Sequence, residues 1–494
     1  MSAAKQSPVL IGIDIGTSSV KAVLSSVEDG VLDSFSASHG MARPKPGYAE
    51  QAPADWMKAV HGALEQFARH SAAGSVVAIG VTSQVNTHLF CDDTVKPLAP
   101  AITWQDTRAA EEGAGLDGRL DMDAKIAALG APIPIDASHA LSRMSWMKKT
   151  LPDLWAKTQH VFVPKDYVIA ALTGTVTADP LASVGLVGTD LTYADAVLDL
   201  LPCSHDVLPP LADPLSIAGE VRDGLPFAGV PVAVGTMDAW ASMFGLGVAR
   251  EGEAMYLSGT SEVLGLIAEQ SAGTPGIIVF PPWRGITLHA APTQSGGASL
   301  AWLGRLLGRD VAELSGLAAQ AVIAPNSPLF LPHLEGERAP FWDPHSRAGF
   351  AGLSTATGPE ELAASVMEGV AFSARLAIEA MATSGGQPIT ALRHGGGGAV
   401  SDIWCQIRAN ALGRTLHRVS VSETGASGAL VMAGVAAGVM DDLAASTQAL
   451  VTIDRVFEPD PAAPDLATDR FEQFKELYAG LSPIARALNG VSRV

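Results

Sequence analysis

Apolar positions along this chain fall into two spacings. "VLIGIDIG" (residues 9–16) and "KAVLSS" (residues 21–26) are apolar runs across a tight turn and predict a strand hairpin. In "ADWMKAVHGALEQFARH", Trp56, Val60, Leu64 and Phe67 recur at helical spacing. "SVVAIGVTS" (75–83) is a β-branched run that predicts a buried strand with an exposed C-terminal end. Helix followed by buried strand is the grammar of an α/β layer. "VPVAVGTMDAWASMFGLGV" (230–248) repeats it as strand, Gly-Thr turn and helix, with Asp238 in the first helical turn.

The second half resumes with "GEAMYLSGTSEVLGLIAE", where Gly259-Thr260-Ser261 lies between two apolar runs as Gly16-Thr17-Ser18 does. Two such hairpins predict two related domains facing each other, residues 1–247 and 248–494, each offering a turn to one ligand. In "ALRHGGGGAVSDIWCQIRANALG", four glycines at 395–398 end a strand. Ser401 is the expected N-cap, Asp402 opens the helix, and Ile403, Ile407 and Leu412 give its apolar spacing. "VSETGASGALVMAGVAAGVM" reads as a structural small-residue helix packed behind that glycine loop.

Length changes this picture little: 494 residues exceed one ordinary core and suit two domains. With 48% hydrophobic and 17% charged residues, both can bury a sheet. Charge does more, since a formal −19 argues against nucleic acid or an anionic membrane as partner. Phosphate ligands stay admissible, because backbone N–H groups bind them whatever the net charge. Cys91, Cys203 and Cys405 are widely separated, which suits a reduced cytosolic protein and gives no zinc spacing. No signal peptide is expected at the N-terminus, and the apolar stretch 425–440 is short for a membrane span. The expectation is a soluble, cytoplasmic protein, with a homodimer as the assembly considered.

The candidate chemistry sits at the turns. "GTSSVK" offers the hydroxyls of Thr17, Ser18 and Ser19, Lys21 and converging backbone donors, as a phosphate site requires; an ordinary hairpin is the plain alternative. Asp14, inside the first strand, is either a buried acid bonded to backbone or a carboxylate that positions Mg²⁺. Asp238 is either a helix cap or, beside Gly235-Thr236, an acid that a second substrate can approach. In "TWQDTR", Trp104 can flank an apolar ligand face and Asp106 can accept from hydroxyls; a solvated Asp106–Arg108 pair is the alternative. Gln84 and Asn86, past a strand end, suit sugar hydroxyls.

Taken in order, "GIDIGTSSVK", "TWQDTR", "VAVGTMDAWASMFGLGV", "LSGTSEV", "SGGASLAWL", "LEGERAPFWDPHSRAGFAGL", "VMEGVAF", "GGGGAVSDIWCQIRANALG" and "ETGASGAL" resemble the FGGY carbohydrate kinases over nearly the whole chain. The resemblance implies an α/β fold of two ribonuclease-H-like domains of the actin and sugar-kinase superfamily, with ATP and substrate in an interdomain cleft. It implies Asp238 as catalytic base and Asp14 as the metal-associated acid. It also implies Thr17, Ser18, Gly259 and Thr260 as phosphate turns, Gly297 as a nucleotide contact, and Gly396, Gly397 and Ser401 as the adenosine platform. Gln84, Asp106 and Asp238 fall where the family contacts its sugar. The chain departs from the pattern at Val85-Asn86, where xylulokinase-like members carry Met-His and glycerol kinases Arg-Glu, and at Ala239, where Asn is usual.

The expected function is ATP- and Mg²⁺-dependent phosphorylation of a primary hydroxyl of a neutral sugar, a ketopentose first and a C3–C5 polyol second. An actin- or chaperone-like ATPase is the alternative of a different class, and it has no need of Asp238 beside "TWQDTR". A non-catalytic sugar-sensing relative is a further alternative, disfavoured because Asp14 and Asp238 are both present.

Overall fold

The computed structural model describes residues 7–421 and 423–490. The chain divides into two compact units, Met1–Gly247 with Glu423–Leu450, and Val248–Ser422 with Val451–Val494. The segment 423–450 therefore leaves the expected 248–494 block and joins the first unit.

The sheet of the first unit runs in the order Gly30–Ser38, Ser19–Ser26, Val9–Ile15, Val76–Ser83, Pro231–Ala233, Ile217–Glu220. Val9–Ile15 pairs antiparallel with Ser19–Ser26 and parallel with Val76–Ser83, which sets Asp14 between Lys21 and Thr82. The helix Pro53–Phe67 makes the crossover and buries Trp56, Val60, Leu64 and Phe67. Val76–Ser83 is covered to its last residue, contrary to the expected exposed end. The reason is polar pairing: Thr82 donates to the Thr236 carbonyl (2.7 Å), and the Ser83 hydroxyl accepts from the Lys165 amide (3.1 Å).

The Thr424–Ala436 helix is buried all round over Thr424–Gly434, as expected of an interior helix. It packs on the first sheet, not behind the four-glycine loop. Glycines make the approach possible. A Cβ added at Gly12 would lie 1.9 Å from the Ala426 carbonyl oxygen, and one at Gly80 2.0 Å from that of Ala429. On a second side, a Cβ at Gly428 would lie 1.7 Å from the carbonyl oxygen of Ala241, in the helix Asp238–Gly245. Backbone rests on backbone here, and only hydrogens fit between.

The second unit carries a sheet ordered Ile278–Val279, Leu288–Pro292, Glu262–Ile267, Ala254–Ser258, Ala391–Gly395, Thr415–Val419, Ile453–Phe457. From Leu288–Pro292 onward its pairings are antiparallel, antiparallel, parallel, parallel, antiparallel. The first sheet shows the same succession. The repeated Gly-Thr-Ser hairpin is thus part of a repeat of whole sheets. Among the described residues, no helix is long and apolar enough to cross a membrane.

Candidate active site

In the first unit the hairpin closes through Gly16 N–H donating to the Ser19 carbonyl (3.0 Å), and Ser18 is exposed at its tip. The Thr17 hydroxyl is engaged sideways. It accepts from Trp104 Nε1 (3.1 Å) and donates to Gln84 Oε1 (3.3 Å). Gln84 Nε2 donates to Gln51 Oε1 (2.7 Å), whose own Nε2 donates to the Thr17 carbonyl (2.6 Å). Gln84 and Trp104, expected to meet the acceptor, are therefore tied to the expected phosphate turn. With its hydroxyl occupied, Thr17 offers a phosphate its backbone more readily than its side chain.

Asp14 is half-buried, and its Oδ1 is withdrawn from solvent without a hydrogen-bond partner. Burial, and then the charge of Asp238, push its carboxyl up to about 7 against the partial relief of Lys21. Lys21 is itself paired with Glu423 at 2.7 Å, and Glu423 adds to the upward push on Asp14. A Cβ at Gly425 would lie 2.4 Å from Asp14 Oδ2, so glycine at the start of the Thr424–Ala436 helix makes room for the carboxylate. No cluster of three His, Cys, Asp or Glu forms a ready metal cage among the described residues. A lone unbonded carboxylate oxygen still fits Mg²⁺, which takes one or two carboxylates and keeps water and phosphate for the rest.

Asp238 is the first residue of the helix Asp238–Gly245, whose N-cap is Met237, so it is not the cap. Its Oδ1 accepts from the Ala239 amide (2.8 Å). The turn before it is held from beneath. Thr236 donates to Asp179 Oδ1 (2.8 Å), and Asp179 lies 2.8 Å from the fully buried Lys165 Nζ, which also pairs with Asp166 (2.5 Å). Gly235 adopts a left-handed φ of 62°, and a Cβ there would lie 2.3 Å from the Val81 carbonyl oxygen. Sequence reading missed this support, because Lys165 and Asp179 lie more than fifty residues from Asp238 and stand in no motif.

Asp106 departs from expectation. It is buried (1% exposed), and both carboxylate oxygens are committed, to the Ala49 amide (2.6 Å) and to the backbone and guanidinium of Arg108. Arg108 is further paired with Glu50 (2.8 Å) and lies 3.7 Å over the Tyr48 ring. The pair exists, but it is buried instead of solvated. Asn86 holds a left-handed φ of 52°, and its carbonyl accepts from Arg143. Arg143 is fully buried and also serves the carbonyls of Ile102 (3.0 Å) and Thr103, the two residues before Trp104, and His88 Nδ1 (2.8 Å). An isolated arginine in the helix Ala140–Thr150 carried no signal that it would brace both acceptor segments.

In the second unit, Gly259 N–H donates to the Ser261 carbonyl (3.0 Å) in a matching hairpin, with Thr260 exposed. Gly297 opens the helix Gly297–Leu307 and donates to the Gly259 carbonyl (2.9 Å), so that helix start is joined to the turn. Gly396, at φ 90°, and Gly397 lead into the helix Asp402–Leu412, where the Ser401 hydroxyl accepts from the Trp404 amide (3.4 Å) as the expected cap.

Comparison with known proteins matches this geometry to a family. Residues 9–245 match the N-terminal domain, and residues 254–437 the C-terminal domain, of the FGGY family of carbohydrate kinases. Xylulose kinase of Escherichia coli K12 is 29% identical over 96% of this chain and 99% of its own. Glycerol kinase of Rhodopirellula baltica is 27% identical over 93% and 88%. The crystal structure of xylulose kinase from Rhodospirillum rubrum superposes with a TM-score of 0.84, at 25% identity over 97% of this chain and 100% of that one. Two sheets of one pairing pattern, each with a Gly-Thr-Ser hairpin, are thus the two halves of one known architecture, and this chain belongs to the FGGY family of carbohydrate kinases.

Proposed function

We propose that this kinase transfers the terminal phosphoryl group of ATP to a primary hydroxyl of a neutral sugar, a ketopentose of the xylulose type, with Asp238 as general base. The observation that carries the base assignment is the place of Asp238. It opens a helix on a braced Gly-Thr turn, near enough for its charge to act on Asp14. A helix N-terminus favours the ionised acid that a base must be. Within the first unit, Asp238, Asp14 and the Gly16-Thr17-Ser18 turn are the proposed base, metal acid and phosphate contact. Within the second, the Gly259-Thr260 turn, Gly297, Gly396, Gly397 and Ser401 are the proposed nucleotide contacts. Mg²⁺, which Asp14 would hold, supplies charge neutralisation on the transferring phosphates.

The acceptor is argued from what Arg108, Arg143 and Lys21 already do. The guanidinium of Arg108 is spent on Asp106 and Glu50, the terminal nitrogens of Arg143 on carbonyls and His88, and Lys21 is paired with Glu423. None of the three offers a sugar acid or sugar phosphate a bidentate partner. Asn86, the Trp104 ring and Asp238 remain the proposed acceptor contacts, while Gln84, buried and committed to Thr17 and Gln51, and Asp106 become the anchors of their loops. Full-length similarity to xylulose kinases supports a ketopentose over a polyol. An ATP-consumption assay over D- and L-pentuloses, erythritol, pentitols, glycerol and gluconate tests this. The highest kcat/KM is expected for a pentulose, and a preference for gluconate would end the neutral-acceptor argument. ATP turnover indifferent to every acceptor would instead favour the conformational ATPase.

Asp14 yields a pH prediction. Its folded-state carboxyl titrates near 7, above the ordinary 3.8, so between these values the folded protein holds a proton that the unfolded chain has released. Stability from this group therefore falls as pH rises through that window. In metal-free buffer, Asp14→Asn should raise Tm at pH 8 by clearly more than at pH 5, where only part of the cost has developed. Thermal melts showing the same shift at both pH values would refute the buried-charge cost.

A further inference from the structure

Behind the second phosphate turn lies a buried polar cluster that the reaction does not use directly. Tyr256 and Ser258 come from the strand entering the turn, and Glu262 from the strand leaving it. Arg408 comes from the helix that follows the glycine loop. All four are at most 1% exposed. Arg408 Nη2 donates to Glu262 Oε1 (2.8 Å) and to the Ser258 hydroxyl (2.6 Å), and its Nε donates to the Tyr256 hydroxyl (3.2 Å). Tyr256 and Ser258 donate in turn to the two Glu262 oxygens, at 2.6 Å and 2.9 Å. The remaining arm, Nη1, donates to the carbonyl of Gly398 (2.8 Å). The loop lies directly on the strand: a Cβ at Gly398 would sit 2.3 Å from the Ser258 hydroxyl, and one at Gly396 2.5 Å from the Ser258 carbonyl oxygen.

One guanidinium thus bonds both strands of the hairpin and the glycine loop. A buried ion pair adds little net stability, because desolvation offsets the attraction, and a well-packed apolar pair often serves the fold as well. Geometry is the better explanation for its presence. We propose that Arg408 and Glu262 are positioning residues for the nucleotide, holding the Gly259-Thr260-Ser261 turn and the Gly396–Gly398 loop in one register so that both meet the same ligand. This rests on the nucleotide placement proposed above. A site set in advance by buried hydrogen bonds needs less ordering when the ligand arrives.

The test separates positioning from folding. Arg408→Met alone strands a buried carboxylate and should lower Tm, whereas Arg408→Met with Glu262→Leu removes both charges and should recover it. Loss of the charged hydrogen bonds to the glycine loop should weaken calorimetric ADP affinity in the double variant about tenfold, and raise the ATP KM alike, with the sugar KM unchanged. A double variant that recovers Tm and binds ADP like wild type overturns the proposal. Should it fail to fold, Tyr256→Phe, which keeps the ring and loses one bond to each partner, takes its place. Weaker ADP binding is again expected, and unchanged binding again overturns. Wild-type protein that binds no ADP would refute the nucleotide placement itself, a result distinct from bound ADP indifferent to these substitutions.

Discussion

Asp238→Asn should lower kcat by at least about 10²-fold, the loss typical of removing a general base, while the sugar KM changes little. The replacement keeps the volume and retains an oxygen to accept from the Ala239 amide, so the helix start survives. What it loses is the carboxylate proposed to take the hydroxyl proton. Because the phosphoryl transfer state is loose, that proton becomes acidic late, and positioning carries much of the remaining acceleration. Residual turnover is therefore expected, in place of complete loss. A second readout comes from Asp14, whose carboxyl is raised in part by the charge of Asp238. Removing that charge should move its titration below about 7. Steady-state kinetics at saturating ATP and sugar provide the check, and near-wild-type kcat would remove Asp238 from the mechanism.

Gly428→Ala should destabilise the first unit by about 2–3 kcal/mol, as overpacking in a tight core does. In an exposed helix the same change would stabilise by up to about 1 kcal/mol through propensity. Here the sign reverses. The added methyl would stand 1.7 Å from the Ala241 carbonyl oxygen, and backbone on both sides leaves no side chain to swing away. Relief requires the Thr424–Ala436 helix to move off the helix Asp238–Gly245, carrying Glu423 and Asp238 with it. Activity should fall together with Tm. Denaturant unfolding of both proteins checks the value, and a Gly428→Ala protein as stable as wild type would show that the helix is not seated this closely.

Much of the local structure was legible in residue order. The two hairpins, the crossover helix with its Trp56, Val60, Leu64 and Phe67 face, the helix opened by Asp238 and the Ser401 cap each follow from patterns a few residues long. These are effects of near neighbours: alternation and helical spacing select the element, and a turn needs small residues where it closes. The repeat of "GTS" likewise pointed to two related halves, and the matching strand pairings bear that out.

The partners were not legible. Spacing marked 424–436 as a tight, small-residue helix but carried no address, and its seat on the first sheet is set by glycines at positions 12, 80, 245 and 428 that meet only in space. Asp106 read as a free acceptor because its neighbours in sequence are polar; Ala49 and Glu50, which complete its burial with Arg108, lie some fifty residues earlier. Arg143, Lys165 and Arg408 stood in helices as ordinary charges, yet each is the centre of a buried network. A buried polar group must find its partners wherever the fold brings them, since leaving it unpaired costs more than any local preference can offset. Sequence by itself determined the elements and the repeat, and it named the acids and glycines proposed for the chemistry. Which of those groups remain open to a ligand was decided only by tertiary structure, because hydrogen-bond commitment is a property of neighbours in space.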